Sequence, residues 1–184
     1  LRLLIPGFEG IFNTKYLRRI KVVDRYYMTY SDYGHLNRRG DEAGAALGML
    51  IGPKSVITFP SGGQQLPDRG FYEVSGLAWS GGGAISRVEV STDGGRRWAD
   101  AEIRGTAHRM SHTRFSYQWT WDGQETELLS RCTDETGQVQ PTRAQVAEFF
   151  GERADDESFR VRGMDNSVQP WRIASDGSVH NAIT

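Results

Sequence analysis

The chain has 184 residues, 22 basic against 23 acidic side chains and a formal net charge of −1, so it can bury one good core with appendages but has little room for two full domains. A near-neutral balance with scattered arginines lacks the basic stripe of a nucleic-acid surface, and no apolar run approaches the length that spans a bilayer. The single cysteine, Cys132, excludes an intrachain disulfide and a cysteine-rich metal site.

The run Leu1-Arg2-Leu3-Leu4-Ile5-Pro6-Gly7 reads as the middle of a buried strand meeting a turn, and the natural protein is therefore expected to continue upstream, where any targeting signal would lie. Through Asp24 the pattern predicts strand, loop, short helix or turn, and a second strand at Ile20-Lys21-Val22-Val23. Residues 25–53 are first Tyr-rich, then Gly/Ala-rich without a clear period, and read as a linker.

From Lys54 the pattern becomes short strands punctuated by Gly, Asp and Pro, the mark of an antiparallel sandwich. Strands are predicted at 54–59, 71–79 and 85–91, with Asp93-Gly94-Gly95 as a hairpin turn because a positive φ is cheap at glycine. Trp98 is expected to cover the end of the core. Phe115, Tyr117, Trp119 and Trp121 share one face of a period-two strand and are expected to pack inward. A strand at 127–133 puts Cys132 among buried positions as an inert thiol. Beyond Pro141 lie a short apolar run (Val146, Phe149, Phe150), a solvated charged stretch at 152–157, and a last strand at 168–173 with its turn at Asp176-Gly177. The fold expected is all-β, an immunoglobulin-like β-sandwich over 54–184, preceded by a strip at 1–24 and the linker.

The catalytic inventory is thin. There is no G-x-S-x-G elbow and no glycine-rich phosphate loop, and His108 and His112 lie four apart without a helix to align them, so no metal ligand is assigned. On residue type alone, Arg2 and Lys15 are ordinary surface charges flanking a turn, and the chain reads equally as a non-enzymatic immunoglobulin-like binding module.

The stretch from Pro6 through Ile20, Pro-Gly-Phe-Glu-Gly-Ile-Phe-Asn-Thr-Lys-Tyr-Leu-Arg-Arg-Ile, resembles the segment with which sulfite oxidase family proteins close their molybdopterin domain. Three further stretches, Gly76 to Gly83, Val88 to Trp98 and Arg131 to Pro141, resemble that family's dimerisation domain in the same order. The tail, with Asn166-Ser167-Val168-Gln169-Pro170-Trp171 and Ala174-Ser175-Asp176-Gly177, is similar to the molybdenum subunit of sulfane dehydrogenases, SoxC.

The resemblance implies a molybdenum-molybdopterin cofactor bound mostly by an upstream domain, which would also supply the cysteine that ligates the metal. It implies that residues 1–24 are the closing strip of that domain and that Arg2, Asn13, Thr14 and Lys15 contact the pterin phosphate and ring. Guanidinium, ammonium and amide groups suit such a ligand. It further implies that an arginine in the dimerisation domain reaches the substrate anion. Arg162, in the step Arg162-Gly163, fits that description, with Arg153 as its rival. The implied whole is a periplasmic homodimer that oxidises a sulfur compound and passes electrons to a cytochrome c.

Overall fold

Alternation of small or apolar side chains with polar ones builds the longest strand. In β2 (Gly70–Trp79), Val74, Gly76 and Ala78 are buried, while Phe71, Glu73, Ser75, Leu77 and Trp79 face the other way. The computed structural model describes residues 1–8, 10–25, 50–150 and 165–183. Eight further strands are formed, with the clearest alternation in β1 and β7: β1 (Lys54–Phe59), β3 (Ile85–Ser91), β4 (Ala99–Asp100), β5 (Glu102–Arg104), β6 (Thr113–Trp121), β7 (Thr126–Asp134), β8 (Trp171–Ile173) and β9 (Val179–Asn181).

Two antiparallel sheets result, one ordered β1-β2-β6-β5 and the other β4-β3-β7-β8-β9. Taken as A, B, C, C′, D, E, F and G in chain order, β1 to β8 reproduce the immunoglobulin arrangement, ABED against CFG with an added C′, and β9 extends it by one strand. The expected all-β immunoglobulin-like sandwich is borne out. The core lies between the sheets and is built from Ile57, Val74, Phe115, Trp119, Trp121, Val88, Val90, Leu128, Cys132 and Ile173. The aromatic ladder of β6 is buried at Phe115, Trp119 and Trp121, with Tyr117 partly buried against the same core. Cys132 is 1% exposed. Burial and the neighbouring Asp134 carboxylate push its thiol up to about 12, against a hydrogen bond with Ser55. At that value it is neither nucleophile nor ligand at neutral pH.

Four sequence expectations need correction or lie out of reach. Trp98 does not cover the end of the core. It packs beneath Arg131, whose guanidinium carbon sits 4.3 Å from its ring centroid, on the outer face of the five-stranded sheet. Arg131 is an outward position of β7, so the cation and ring meet outside the core. The strand expected at residues 20–23 is not formed, and Ile20 and Val22 are 71% and 95% exposed. Among the described residues no strand pairs with them. The apolar run after Pro141 is a helix, α1 (Arg143–Phe150). Most of the linker, the charged stretch, and both Arg153 and Arg162 lie outside the described residues.

Edge strand β1 is closed by side chains rather than by another strand. Gln140 accepts from the Ser55 amide at 2.9 Å and donates to its carbonyl at 3.4 Å, and the Trp171 indole donates to the Ile57 carbonyl at 3.0 Å. A primary amide presents the same donor and acceptor as a peptide group, so Gln140 substitutes for one rung of a ladder.

Candidate functional site: an N-terminal strip docked on the sandwich

Residues 1–17 form two arms joined by the Pro6-Gly7 turn and a 3-10 turn at Gly10–Phe12. Gly7 adopts φ +81°, the left-handed region that favours glycine. The arms pair antiparallel at Arg2 and Lys15, with the Leu3 amide donating to the Thr14 carbonyl at 3.0 Å and the Leu17 amide to the Leu1 carbonyl at 3.1 Å. Asn13 ties them a second time by accepting from the Ile5 amide at 2.8 Å. Directly opposed residues in an antiparallel pair put their side chains on the same side, so Arg2 and Lys15 leave the backbone on one face of the pair.

Beside them lies an open groove of about 350 Å³ lined by Arg2, Leu4, Ile5, Gly7, Asn13 and Lys15 among others. Of the four residues expected to touch the cofactor, three converge here. Thr14 contributes its carbonyl to the arm pairing and does not line the groove. Among the described residues no carboxylate forms an ion pair with Arg2 or Lys15. Two cations held side by side by backbone pairing, with an amide between the arms, form a donor set suited to an anionic, hydrogen-bonding ligand.

The strip is fixed to the sandwich through backbone. Ile51 donates its amide to the Gly7 carbonyl at 2.9 Å and accepts from the Gly81 amide at 2.7 Å, bridging strip and β2–β3 loop. Phe8 pairs with Leu50, and the Met110 side chain rests against Gly7. Asp134 holds the base of that loop. Its carboxylate accepts from Ser80 Oγ at 2.7 Å, from the Thr136 amide at 2.9 Å and hydroxyl at 2.6 Å, and from the Gln138 amide at 3.2 Å. Burial pushes the Asp134 carboxyl up, but these hydrogen bonds outweigh it and leave the group below the ordinary carboxylate range.

A second ionic cluster sits next to the joint. Asp165, nearly buried, pairs with Arg143 of α1 at 2.6 Å, caps the Ser167 amide at 2.9 Å, and receives the Lys54 ammonium on its carbonyl. Asn166 donates to the Pro53 carbonyl at 3.1 Å, two residues from Ile51. Burial opposes ionisation of Asp165, yet the Ser167 hydrogen bonds and the Arg143 and Lys54 charges keep its carboxyl low. Burial lowers the Lys54 ammonium, with Asp165 opposing.

Sequence reasoning missed Ile51, Gly81 and Asp165 as parts of this joint. Gly81 was visible only as a member of the stretch Gly76 to Gly83 that carries the family resemblance. Among the described residues no group of three or more His, Cys, Asp and Glu side chains is placed to hold a metal ion, and no helix is long and apolar enough to cross a membrane.

Fold and groove define an immunoglobulin-like sandwich that carries an anion-suited loop at one end. Residues 49–162 match the family model described as the Mo-co oxidoreductase dimerisation domain. The chain is 30% identical over 166 aligned positions to mitochondrial sulfite oxidase of Rattus norvegicus, covering 77% of this chain and 28% of that protein. It is 32% identical over 173 positions to the NADH nitrate reductase of Solanum lycopersicum, covering 78% and 19% respectively. Among solved structures it is similar to the sulfane dehydrogenase SoxCD of Paracoccus pantotrophus, with a TM-score of 0.87, 36% identity, and coverage of 100% of this chain and 46% of that one. The chain belongs to the Mo-co oxidoreductase dimerisation domain family and corresponds to part of the molybdopterin oxidoreductases of the sulfite oxidase family. It spans less than half the length of these relatives.

Proposed function

We propose that this chain supplies the closing wall of a molybdopterin site and the subunit-pairing domain of an enzyme that oxidises a sulfur compound, sulfite or sulfane sulfur, and passes the electrons to a cytochrome c. The observation that carries this reading is the opposed Arg2 and Lys15 pair, tied by Asn13 and facing an open groove. Arg2 and Lys15 bind the anionic end of the cofactor, and Asn13 together with exposed loop amides orients the heterocycle. The molybdenum cofactor, when bound, supplies the two-electron redox chemistry, while the protein provides binding and electrostatics.

Arg162 is the substrate-side arginine in this account. In the sequence it stands three positions before Asp165, the carboxylate that pairs with Arg143, and Arg153 stands twelve before it. The metal-ligating cysteine comes from upstream sequence, because Cys132 is sealed in the core. The complete enzyme is a periplasmic homodimer.

The test is steady-state reduction of cytochrome c by the full-length gene product with sulfite and with a sulfane-sulfur donor, beside reduction of nitrate by a reduced viologen dye as the contrasting activity. Turnover with either sulfur compound supports the reading. A metal-free protein inert towards both contradicts it.

A further inference from the structure

The outward surfaces of the two sheets differ in a way that bears on how a second copy docks. On the five-stranded sheet the outward charges are satisfied within the sheet: Arg87 pairs with Asp100 at 2.6 Å and Glu89 at 3.2 Å, and Arg131 grips Glu89 at 2.7 Å. Trp98 is covered by Arg131. Pressing an identical face onto this network would desolvate paired ions without offering them new partners.

The four-stranded sheet presents a different surface. Its outward row along β2 is Phe71, Glu73, Ser75, Leu77 and Trp79, and β1 sets Val56 against Leu77. Phe71 is 63% exposed and Phe59, at the end of β1, 38%. On the other side of Leu77 the register places Arg114, exposed and without an ion pair among the described residues. Beyond it Arg104 holds Glu73 and Glu102.

We propose that this outer face of the β1-β2-β6-β5 sheet is where a second copy of the chain docks. The inference rests on the reading that the domain pairs two subunits, which its family supports. It adds which surface does so. Edge-to-edge pairing through β1 is closed off by Gln140 and Trp171, which leaves face-to-face contact as the route on that side. A two-fold interface must be self-complementary. Here an apolar stripe lies beside the unpaired Arg114 and two carboxylates that share the single Arg104 and stay more than half exposed, so rotation about an axis through the stripe brings Arg114 of one copy towards Glu73 or Glu102 of the other. At strand rise and spacing, β2 and β6 run about 30 Å, β1 about 20 Å and β5 about 10 Å, a flat footprint of roughly 440 Å². Side-chain relief and the flanking loops raise the accessible area towards the roughly 800 Å² per partner that a stable interface needs.

The experiment is sedimentation velocity on the full-length gene product over a concentration series, wild type against Phe71→Arg, Thr120→Arg and Leu129→Arg. Thr120 lies opposite Phe71 on β6 and is already solvated, so its variant keeps the strand register if Phe71→Arg disturbs folding. Leu129 is an outward position on the other sheet. The expected result is a wild-type dimer, at least a tenfold rise in dimer dissociation constant for Phe71→Arg and Thr120→Arg, and no change for Leu129→Arg. Folded Phe71→Arg and Thr120→Arg proteins that still sediment as wild-type dimers overturn the choice of face. A wild-type monomer at all concentrations overturns the pairing reading itself.

Discussion

Gly7 and Gly81 meet backbone to backbone: a side chain on Gly81 would drive its Cβ into the Gly7 carbonyl oxygen and bring it to 2.9 Å from the Ile51 amide nitrogen. Two glycines thus let the strip and the sandwich touch without intervening side chains, and Ile51 bonds to both. The position of Arg2 and Lys15 relative to the sandwich depends on this contact.

Gly81→Ala is therefore expected to open the joint. The overlapping atom is backbone and cannot swing away, so the cost is that of an overpacked site, about 1–3 kcal/mol. Gly10→Ala, where a Cβ meets nothing within 4 Å, is expected to be near neutral. Thermal melts of the two variants check this, and equal melting temperatures contradict it.

The buried carboxylates set the acid response. Asp134 and Asp165 both have folded-state values below the ordinary carboxylate range, so the folded protein binds fewer protons than the unfolded chain as pH falls below about 4–5. Their stabilisation is complete above the unfolded pKa, near 3.9, and is lost as pH falls through the lower folded value. Asp134→Asn is expected to cost about 1–3 kcal/mol at pH 7 and to flatten the fall in stability below about pH 4. Urea unfolding between pH 3 and 7 measures both, and an unchanged slope in the acid limb contradicts the assignment.

Gln140→Ala removes the amide that substitutes for a strand neighbour at Ser55. Leaving the buried Ser55 amide unpaired is expected to cost about 1–3 kcal/mol. The uncovered β1 edge is also expected to raise concentration-dependent aggregation. Denaturant midpoints and turbidity on heating are the readouts. Wild-type behaviour in both rules out the edge-closing role.

Much of the sandwich was legible because its strands are half-buried, and alternation such as Phe115, Trp119 and Trp121 on β6 leaves a period of two in the sequence. The short strands β4, β5 and β9 were not, since two or three residues cannot display a period. Helix α1 buries Val146 but leaves Phe149 exposed, so its apolar face is weak. Its start was nonetheless written in a capping box: Thr142 and Gln145 exchange hydrogen bonds, 2.8 Å from the Thr142 amide and 3.3 Å from the Gln145 amide. Trp98 was misplaced because period alone does not say that Arg131 will cover an aromatic on the outer face. In the strip, motif resemblance singled out Arg2, Asn13 and Lys15, whereas the joint at Ile51 and Gly81 is made by backbone groups, which carry no residue-type signal.

If the strip holds the anionic end of a molybdopterin, the molybdenum and pterin content of purified full-length Arg2→Ala, Lys15→Ala and double variants reports it, alongside circular dichroism of each. Each charge-assisted hydrogen bond to the ligand is worth about 1.5–3 kcal/mol, so each single variant should weaken cofactor retention roughly ten- to hundredfold, and the double variant further, with an intact β-sheet spectrum because both side chains lie outside the core. Wild-type molybdenum and pterin content in the double variant would contradict the account.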